Sequence, residues 1–128
     1  MNLLDENFPK DQLPRLKDWR IPFRQIGPDI ARAGTKDSDI VPLLHRHHGV
    51  TFFTLDQDFF VPGLCHPTYC LAWLDARADD AAHFLRCFLK HPDFATQARR
   101  MGVVARAHHD GVDFWLRNRI GLQRARWR

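Results

Sequence analysis

Two short acidic clusters, each placed directly after an apolar run, carry most of the chemistry that this chain of 128 residues could perform. The first is Asp5-Glu6 near the start of the chain, and the second is Asp56 and Asp58, after the run Val50–Leu55. Carboxylates gathered at one place repel one another unless cations or protons neutralise them, and Mg²⁺ or Mn²⁺ prefers such hard oxygen ligands. These residues predict a divalent-metal site that hydrolyses phosphodiester bonds.

Two predicted parallel strands would bring the clusters together. The residues before Asp5 form a short apolar strand, and Val50–Leu55 is almost continuously β-branched or aromatic, which is typical of a strand buried on both faces. If these strands are parallel neighbours, their carboxyl ends lie at one edge of a sheet, where open α/β folds bind ligands.

A predicted helix would add a third acid to this edge. The apolar spacing after Asp37-Ser38-Asp39 indicates a helix that runs to about His48, with Gly49 as its end. Because this helix leads into the strand at Val50–Leu55, its N-terminal acid, Asp37 or Asp39, can approach the same edge.

Each of these acids also has a purely structural explanation. An Asp at a helix N-terminus is often only a cap, and an Asp after a strand is often a turn residue. The combination of Asp5, a helix acid and Asp56 in this chain order favours the metal site. Glu6 and Asp58 are candidates for a fourth ligand or for positioning the attacking water.

The rest of the chain continues the alternation of strands and helices. Further helices are predicted at residues 9–19, between Asp79-Asp80 and Pro92, and between Asp93 and Arg100, and further strands at residues 21–26 and 69–74. Residues 102–107 and 112–116 form a predicted hairpin, because Asp-Gly between alternating segments is a tight-turn signal. We therefore expect an α/β fold with a mostly parallel, right-handed central sheet and a C-terminal antiparallel hairpin at its edge.

Positive charge is concentrated at the C-terminal end. From Arg99 onward there are eight Arg but only two acids, in a chain of net charge +4, and residues 117–128 are predicted to form a basic tail. Such a surface would attract a polyanion such as RNA, or an acidic protein, although it could equally be a solvated face. Within the tail, Trp127 could stack on a base or fill a partner's groove, or it could belong to a frayed terminus.

Length and composition favour one folded domain in a reducing compartment. A chain of 128 residues with 45% hydrophobic content can bury one core but not two. Its three cysteines show no C-x-x-C spacing, which argues against a disulfide scaffold or zinc site and favours the cytoplasm. No apolar stretch approaches the ~20 residues of a membrane span, so we expect no membrane partner.

Three segments together resemble the PIN-like superfamily, and more narrowly a compact branch of small proteins related to VapC-type toxins. They are Leu3–Pro9 (LLDENFP), Lys36–Ile40 (KDSDI) and Phe53–Phe59 (FTLDQDF). The resemblance covers about residues 2–60 and is one of layout beyond Phe60. Phe60 itself departs from the pattern, because a Gly usually follows the Phe at that point.

The resemblance implies a three-layer α/β/α sandwich and a Mg²⁺- or Mn²⁺-dependent ribonuclease, often the toxin of a toxin–antitoxin pair. The family's first acid corresponds to Asp5, its helix acid to Asp37 and its strand-end acids to Asp56 and Asp58, with Asp39 as a substitute for Asp37. The implied partners are single-stranded RNA and an antitoxin protein. Related toxins are commonly dimers, and the aromatic residues of the second half are consistent with a homodimer.

Two other functions fit parts of the pattern. A non-catalytic PIN-like module would keep the acids but bind RNA or protein only through its basic end. A phospho-accepting receiver domain also has an acidic pair after its first strand and an Asp after its third. A receiver needs a Ser or Thr after the fourth strand and a Lys after the fifth, and the segments after Leu74 and Ala107 supply neither.

Overall fold

Seven strands form one sheet in the computed structural model, which describes residues 1–127. The strands are β1 (Asn2–Leu4), β2 (Arg24–Gln25), β3 (Val50–Thr54), β4 (Tyr69–Leu74), β5 (Val103–His108), β6 (Gly111–Leu116) and β7 (Gln123–Arg126). The helices are α1 (Leu13–Asp18), α2 (Asp37–Arg46), α3 (Ala81–Lys90) and α4 (Gln97–Arg100).

The strands lie in the order β2-β1-β3-β4-β5-β6-β7. The first five in this order are parallel to their neighbours, whereas β6 is antiparallel to β5, and β7 to β6. This arrangement confirms the predicted α/β class, with its mostly parallel sheet and C-terminal antiparallel hairpin. We call the edge at which β1, β3, β4 and β5 end the carboxyl edge.

Helices on the two faces of the sheet produce the three layers. All five residues of β3 are buried, so consecutive side chains enter opposite cores. Phe53 packs in the core that contains Leu16 of α1 and Phe88 of α3. Phe52 packs in the core that contains Leu44 of α2. Burying each such side chain contributes about 1.5–3 kcal/mol to the stability of the fold. The contact of α2 with Phe52 therefore holds this helix against the face of the sheet where the acids converge.

The second strand is shorter than predicted. A strand was expected over residues 21–26, but β2 contains only Arg24 and Gln25, paired with Leu3 and Leu4 of β1. Pro22 has no backbone N–H to donate to a neighbouring strand, which limits extension of β2 toward its N-terminus.

The prediction of a basic tail over residues 117–128 is wrong for the second half of that segment. Residues 123–126 form β7, in which Arg124 pairs with Asp113 of β6. The Nε1 of Trp127 donates a hydrogen bond to the carbonyl oxygen of His108 at 2.7 Å, and its ring packs beside Phe84. Trp127 is therefore a packing residue and not a free aromatic anchor. Arg128 lies outside the described residues.

Among residues 1–127, no helix has the length and apolar character needed to cross a bilayer.

Candidate metal centre

The turn after β3 positions two of the predicted acids. β3 ends at Thr54, and in the turn that follows, Asp56 Oδ1 accepts a hydrogen bond from the backbone N–H of Asp58 at 2.9 Å. Phe59 is buried and packs edge-on against Phe52, which attaches this turn to the sheet. Asp56 is thus a half-buried carboxylate in a defined position, and Asp58 is an exposed one beside it.

The N-terminus of α2 brings a third acid to the same place. Ile40 and Leu44 are buried against the sheet, so the helix begins close to the point where β3 ends. The first residue of α2 is Asp37, and carboxylate oxygens of Asp37, Asp56 and Asp58 all lie within 4.8 Å of one another. We call these three residues the acidic triad.

Asp5 is connected to the triad through a threonine hydroxyl. Thr54 Oγ1 donates to Asp5 Oδ2 at 2.7 Å and accepts from the backbone N–H of Asp56 at 3.0 Å. The other oxygen of Asp5, Oδ1, accepts from the backbone N–H of Glu6 at 2.7 Å. Both oxygens of Asp5 are therefore hydrogen-bonded, which holds this carboxylate beside the triad.

Burial, together with neighbouring negative charge, raises the pKa of two of these carboxyl groups. Burial raises the pKa of Asp5, hydrogen bonds from Thr54 and Glu6 oppose this, and the charge of Asp56 adds to the rise. Desolvation raises the pKa of Asp37 as well, followed by the charge of Asp56 and a side-chain hydrogen bond with it. Within residues 1–127, no Lys, Arg or His nitrogen lies within 4.0 Å of a triad carboxylate or of Asp5.

The donors fit a hard divalent cation. All three triad ligands are carboxylate oxygens, the type that Mg²⁺ and Mn²⁺ prefer, and no basic side chain of residues 1–127 forms a salt bridge with them. Because Mg²⁺ binds oxygen at about 2.0–2.1 Å, two oxygens on one ion lie at most about 4.2 Å apart. Small rotations of the exposed Asp37 and Asp58 side chains would bring the oxygens within that limit. The triad can therefore hold a metal ion.

Glu6 and Asp39, also predicted as ligands, lie elsewhere. Glu6 Oε2 accepts a hydrogen bond from the backbone N–H of Gly34 at 2.5 Å, so this carboxylate holds the loop that precedes α2. Asp39 is exposed and lines a separate cavity with Lys36 and Arg46. Of the two acids in the first turn of α2, Asp37 is the one that joins the triad.

Sequence reasoning did not assign a role to Thr54. Its signal was its position, since it is a hydroxyl-bearing residue at the end of a mostly apolar strand, two residues before Asp56. Only the pairing of β1 with β3 places its hydroxyl against Asp5.

Replacing Asp37 by Asn should relieve repulsion within the triad. Because its pKa is raised in the folded protein, that state holds the Asp37 proton more tightly than the unfolded chain, and the charged form opposes folding at neutral pH. At pH 7 without divalent metal, Asp37→Asn should be more stable than Asp39→Asn by about 0.5 kcal/mol, the scale of exposed charge interactions. Urea unfolding measures this difference.

Asp39→Asn is the matched control, since either substitution removes a negative charge from the first turn of α2 and its favourable interaction with the helix dipole. The advantage of Asp37→Asn should shrink as pH falls through the raised pKa of Asp37 and vanish below 3.8, where the wild-type carboxyl is protonated in both the folded and the unfolded state. An Asp37→Asn protein less stable than Asp39→Asn at pH 7 would contradict repulsion in the triad.

Comparison of the chain with protein-family models, with curated proteins and with solved structures found no match.

Proposed function

We propose that this protein is a metal-dependent endoribonuclease that hydrolyses phosphodiester bonds of single-stranded RNA. The observation that carries the proposal is the convergence of Asp37, Asp56 and Asp58 from two separate elements to within 4.8 Å, without a salt bridge to any basic residue in the described range 1–127. The resemblance of residues 2–60 to PIN-like proteins, which depends on the same acids, points to the same activity.

The acidic triad would hold the cation, which we propose to be Mg²⁺ or Mn²⁺. When bound, such an ion would supply Lewis-acid activation of the phosphodiester and of a water molecule. Asp56 contributes a fixed carboxylate, because its Oδ1 is hydrogen-bonded to the backbone of Asp58. Asp37 and Asp58 are exposed, so they present the open side of the site to solvent and substrate.

Asp5, which follows β1, supports this site through Thr54, the last residue of β3. The Thr54 hydroxyl links the Asp5 carboxylate to the backbone of Asp56, so the two strand ends keep a constant separation. Asp5 also adds negative charge beside the triad, as its effect on the pKa of Asp37 indicates. That charge favours a divalent cation over a monovalent one.

The proposed biological setting follows from the resemblance. We place the protein in the cytoplasm as the toxin of a toxin–antitoxin pair, with an antitoxin that covers the carboxyl edge and a second copy of the chain as a further partner. The thiols of Cys65, Cys70 and Cys87 are free, in keeping with a reducing compartment.

The test is cleavage of end-labelled single-stranded RNA by the purified chain. With Mn²⁺ or Mg²⁺ we expect internal cleavage, and with EDTA none. Duplex RNA and single-stranded DNA of the same sequence should be cut more slowly. The double variant Asp5→Asn, Asp56→Asn is the control for a contaminating nuclease and should leave the RNA intact.

If the folded protein does not cleave RNA at a saturating metal concentration, the nuclease proposal is rejected and the non-catalytic PIN-like binding module is favoured. Cleavage that persists in the double variant would assign the activity to a contaminant or to another site.

A further inference from the structure

A second polar site lies on the antiparallel side of the sheet. A cavity of about 630 Å³ opens over the ends of β5, β6 and β7. Its charged lining residues are Arg106, His108, Asp110, Asp113, Arg124 and Arg126, and we call it the arginine pocket. Three arginines and two aspartates line it, and Asp75, which pairs with Arg106 from beside the cavity, balances the third arginine. Arg124 and Arg126 are the two exposed arginines of the lining.

A buried carboxylate organises the arginine pocket. Asp113 is 7% exposed, and its Oδ2 lies 3.4 Å from Arg106 Nη1. Its Oδ1 lies 3.3 Å from His108 Nε2 and 3.5 Å from Arg124 Nε. Asp75, at the end of β4, accepts two further bonds from Arg106, at 2.7 Å from Nη2 and 2.9 Å from Nε. These contacts fix Arg106 in place, because its guanidinium is held from two sides.

Some nitrogen donors of the arginine pocket remain available to a ligand after these contacts are made. The side chain of Arg124 is 80% exposed, and its Nε lies 3.5 Å from Asp113 Oδ1, so most of this side chain remains open to solvent. His108 Nε2 is buried, and among residues 1–127 no atom accepts a well-aligned hydrogen bond from it. Arg126 adds a further exposed guanidinium at the rim. Guanidinium groups arranged in this way match the oxygens of a phosphate.

The arginine pocket lies on the same face of the sheet as the acidic triad. Val104 of β5 and Trp115 of β6 pack against the core that contains α2. Arg106 and Asp113 are two residues away from them along the same strands, so their side chains emerge on that face. Arg106 also lies near the end of β5, and therefore toward the carboxyl edge.

One cross-strand row connects the two sites. The register pairs Thr54 with Trp73, Trp73 with Arg106, Arg106 with Asp113, and Asp113 with Arg124. With strands about 4.8 Å apart, Arg106 lies about 10 Å and Arg124 about 19 Å from Thr54 along this row. An extended RNA chain crossing the strand ends would therefore reach both sites.

We propose that the arginine pocket binds a backbone phosphate of the RNA, a few nucleotides from the bond that the acidic triad cleaves. This inference rests on the proposed ribonuclease function and adds to it the subsite that holds the substrate across the sheet. The pocket contacts phosphate and not base edges, so it contributes affinity without sequence preference.

The test measures binding of fluorescein-labelled single-stranded RNA to the full chain in EDTA, at several salt concentrations. Arg124→Gln should weaken binding about tenfold, and the slope of log K against log salt should fall by about 0.7, the value for one phosphate contact on a single strand. Arg124→Gln, Arg126→Gln should weaken binding further. Because Arg124 is 80% exposed, the single variant should keep the wild-type melting temperature.

Arg119→Gln is the matched control. It removes the same charge from an exposed residue that follows β6, at the opposite edge of the sheet. Its RNA affinity should stay close to that of the wild type. Equal losses in Arg119→Gln and Arg124→Gln would mean that net charge alone attracts RNA, and the pocket proposal would fail. Unchanged affinity in both Arg124 variants would overturn it as well.

Cleavage assays on the same proteins separate this proposal from the proposed function. If the wild type cleaves RNA and Arg124→Gln matches it in both KM and affinity, the nuclease stands and the pocket is rejected. If Arg124→Gln specifically weakens binding but the metal-loaded wild type cleaves nothing, the pocket binds RNA and the nuclease is rejected.

Discussion

Replacing Asp56 by Asn is expected to slow metal-dependent RNA cleavage by more than about 100-fold, a larger loss than that typical of residues that only support metal ligands. Asp56 is the half-buried member of the acidic triad, and it lies next to both Asp37 and the Thr54–Asp5 pair. Asn keeps the size of the side chain and an oxygen that can accept the bond from the Asp58 backbone. The substitution should therefore remove the charge without unfolding the turn.

The control for this variant is Asp39→Asn, which removes one negative charge from the exposed first turn of α2, outside the triad. It should cleave at the wild-type rate. Single-turnover cleavage with a titration of Mn²⁺ distinguishes loss of metal affinity from loss of the chemical step. Wild-type cleavage by Asp56→Asn, or a comparable loss in Asp39→Asn, would show that the triad is not the metal centre.

Replacing Gly111 by Ala is expected to lower the free energy of unfolding by about 3 kcal/mol or more. Gly111 has φ +148°, which side chains rarely adopt, and a Cβ there would collide with the carbonyl oxygen of Ala125 in β7. Two backbone segments meet at this point, so neither can move aside as a flexible side chain would. We expect a large drop in melting temperature, or displacement of β7 from the sheet.

Gly63→Ala is the matched control, because a Cβ at Gly63 would meet no atom within 4 Å and the backbone there has no positive φ. Its stability should stay close to that of the wild type. If Gly111→Ala remains folded, its RNA affinity should fall as well, because β7 carries Arg124. An unchanged melting temperature and RNA affinity would mean that β7 is not closely packed against β6 in solution.

Helices and strands that are marked by a pattern within their own segment were predicted well from the sequence. β3, β4, α2 and the β5–β6 hairpin all lie close to their predicted bounds. Each is marked by an apolar run, an apolar face at helical spacing or an Asp-Gly turn within the segment itself. Their order along the chain then implies a parallel sheet, and hence the approach of the first and third strand ends.

β7 could not be predicted in the same way. The segment Gln123–Arg126 is short and polar, and it becomes a strand only because β6 offers its unpaired edge. The same pairing places Arg124 beside Asp113, so the arginine pocket has no signature in the linear chain. Trp127 was open to several interpretations until the structure gave its ring a hydrogen-bond partner and a packing neighbour.

For the acids, the sequence by itself determined which residue types stand at the strand ends and at the start of α2. Only the tertiary structure decided between Asp37 and Asp39, because the rotation of α2 depends on which side chains it buries. It also placed Glu6 against the backbone of Gly34 and linked Asp5 to Asp56 through the Thr54 hydroxyl. Apolar patterns are read along one segment, whereas carboxylate distances depend on side-chain directions from several segments packed together.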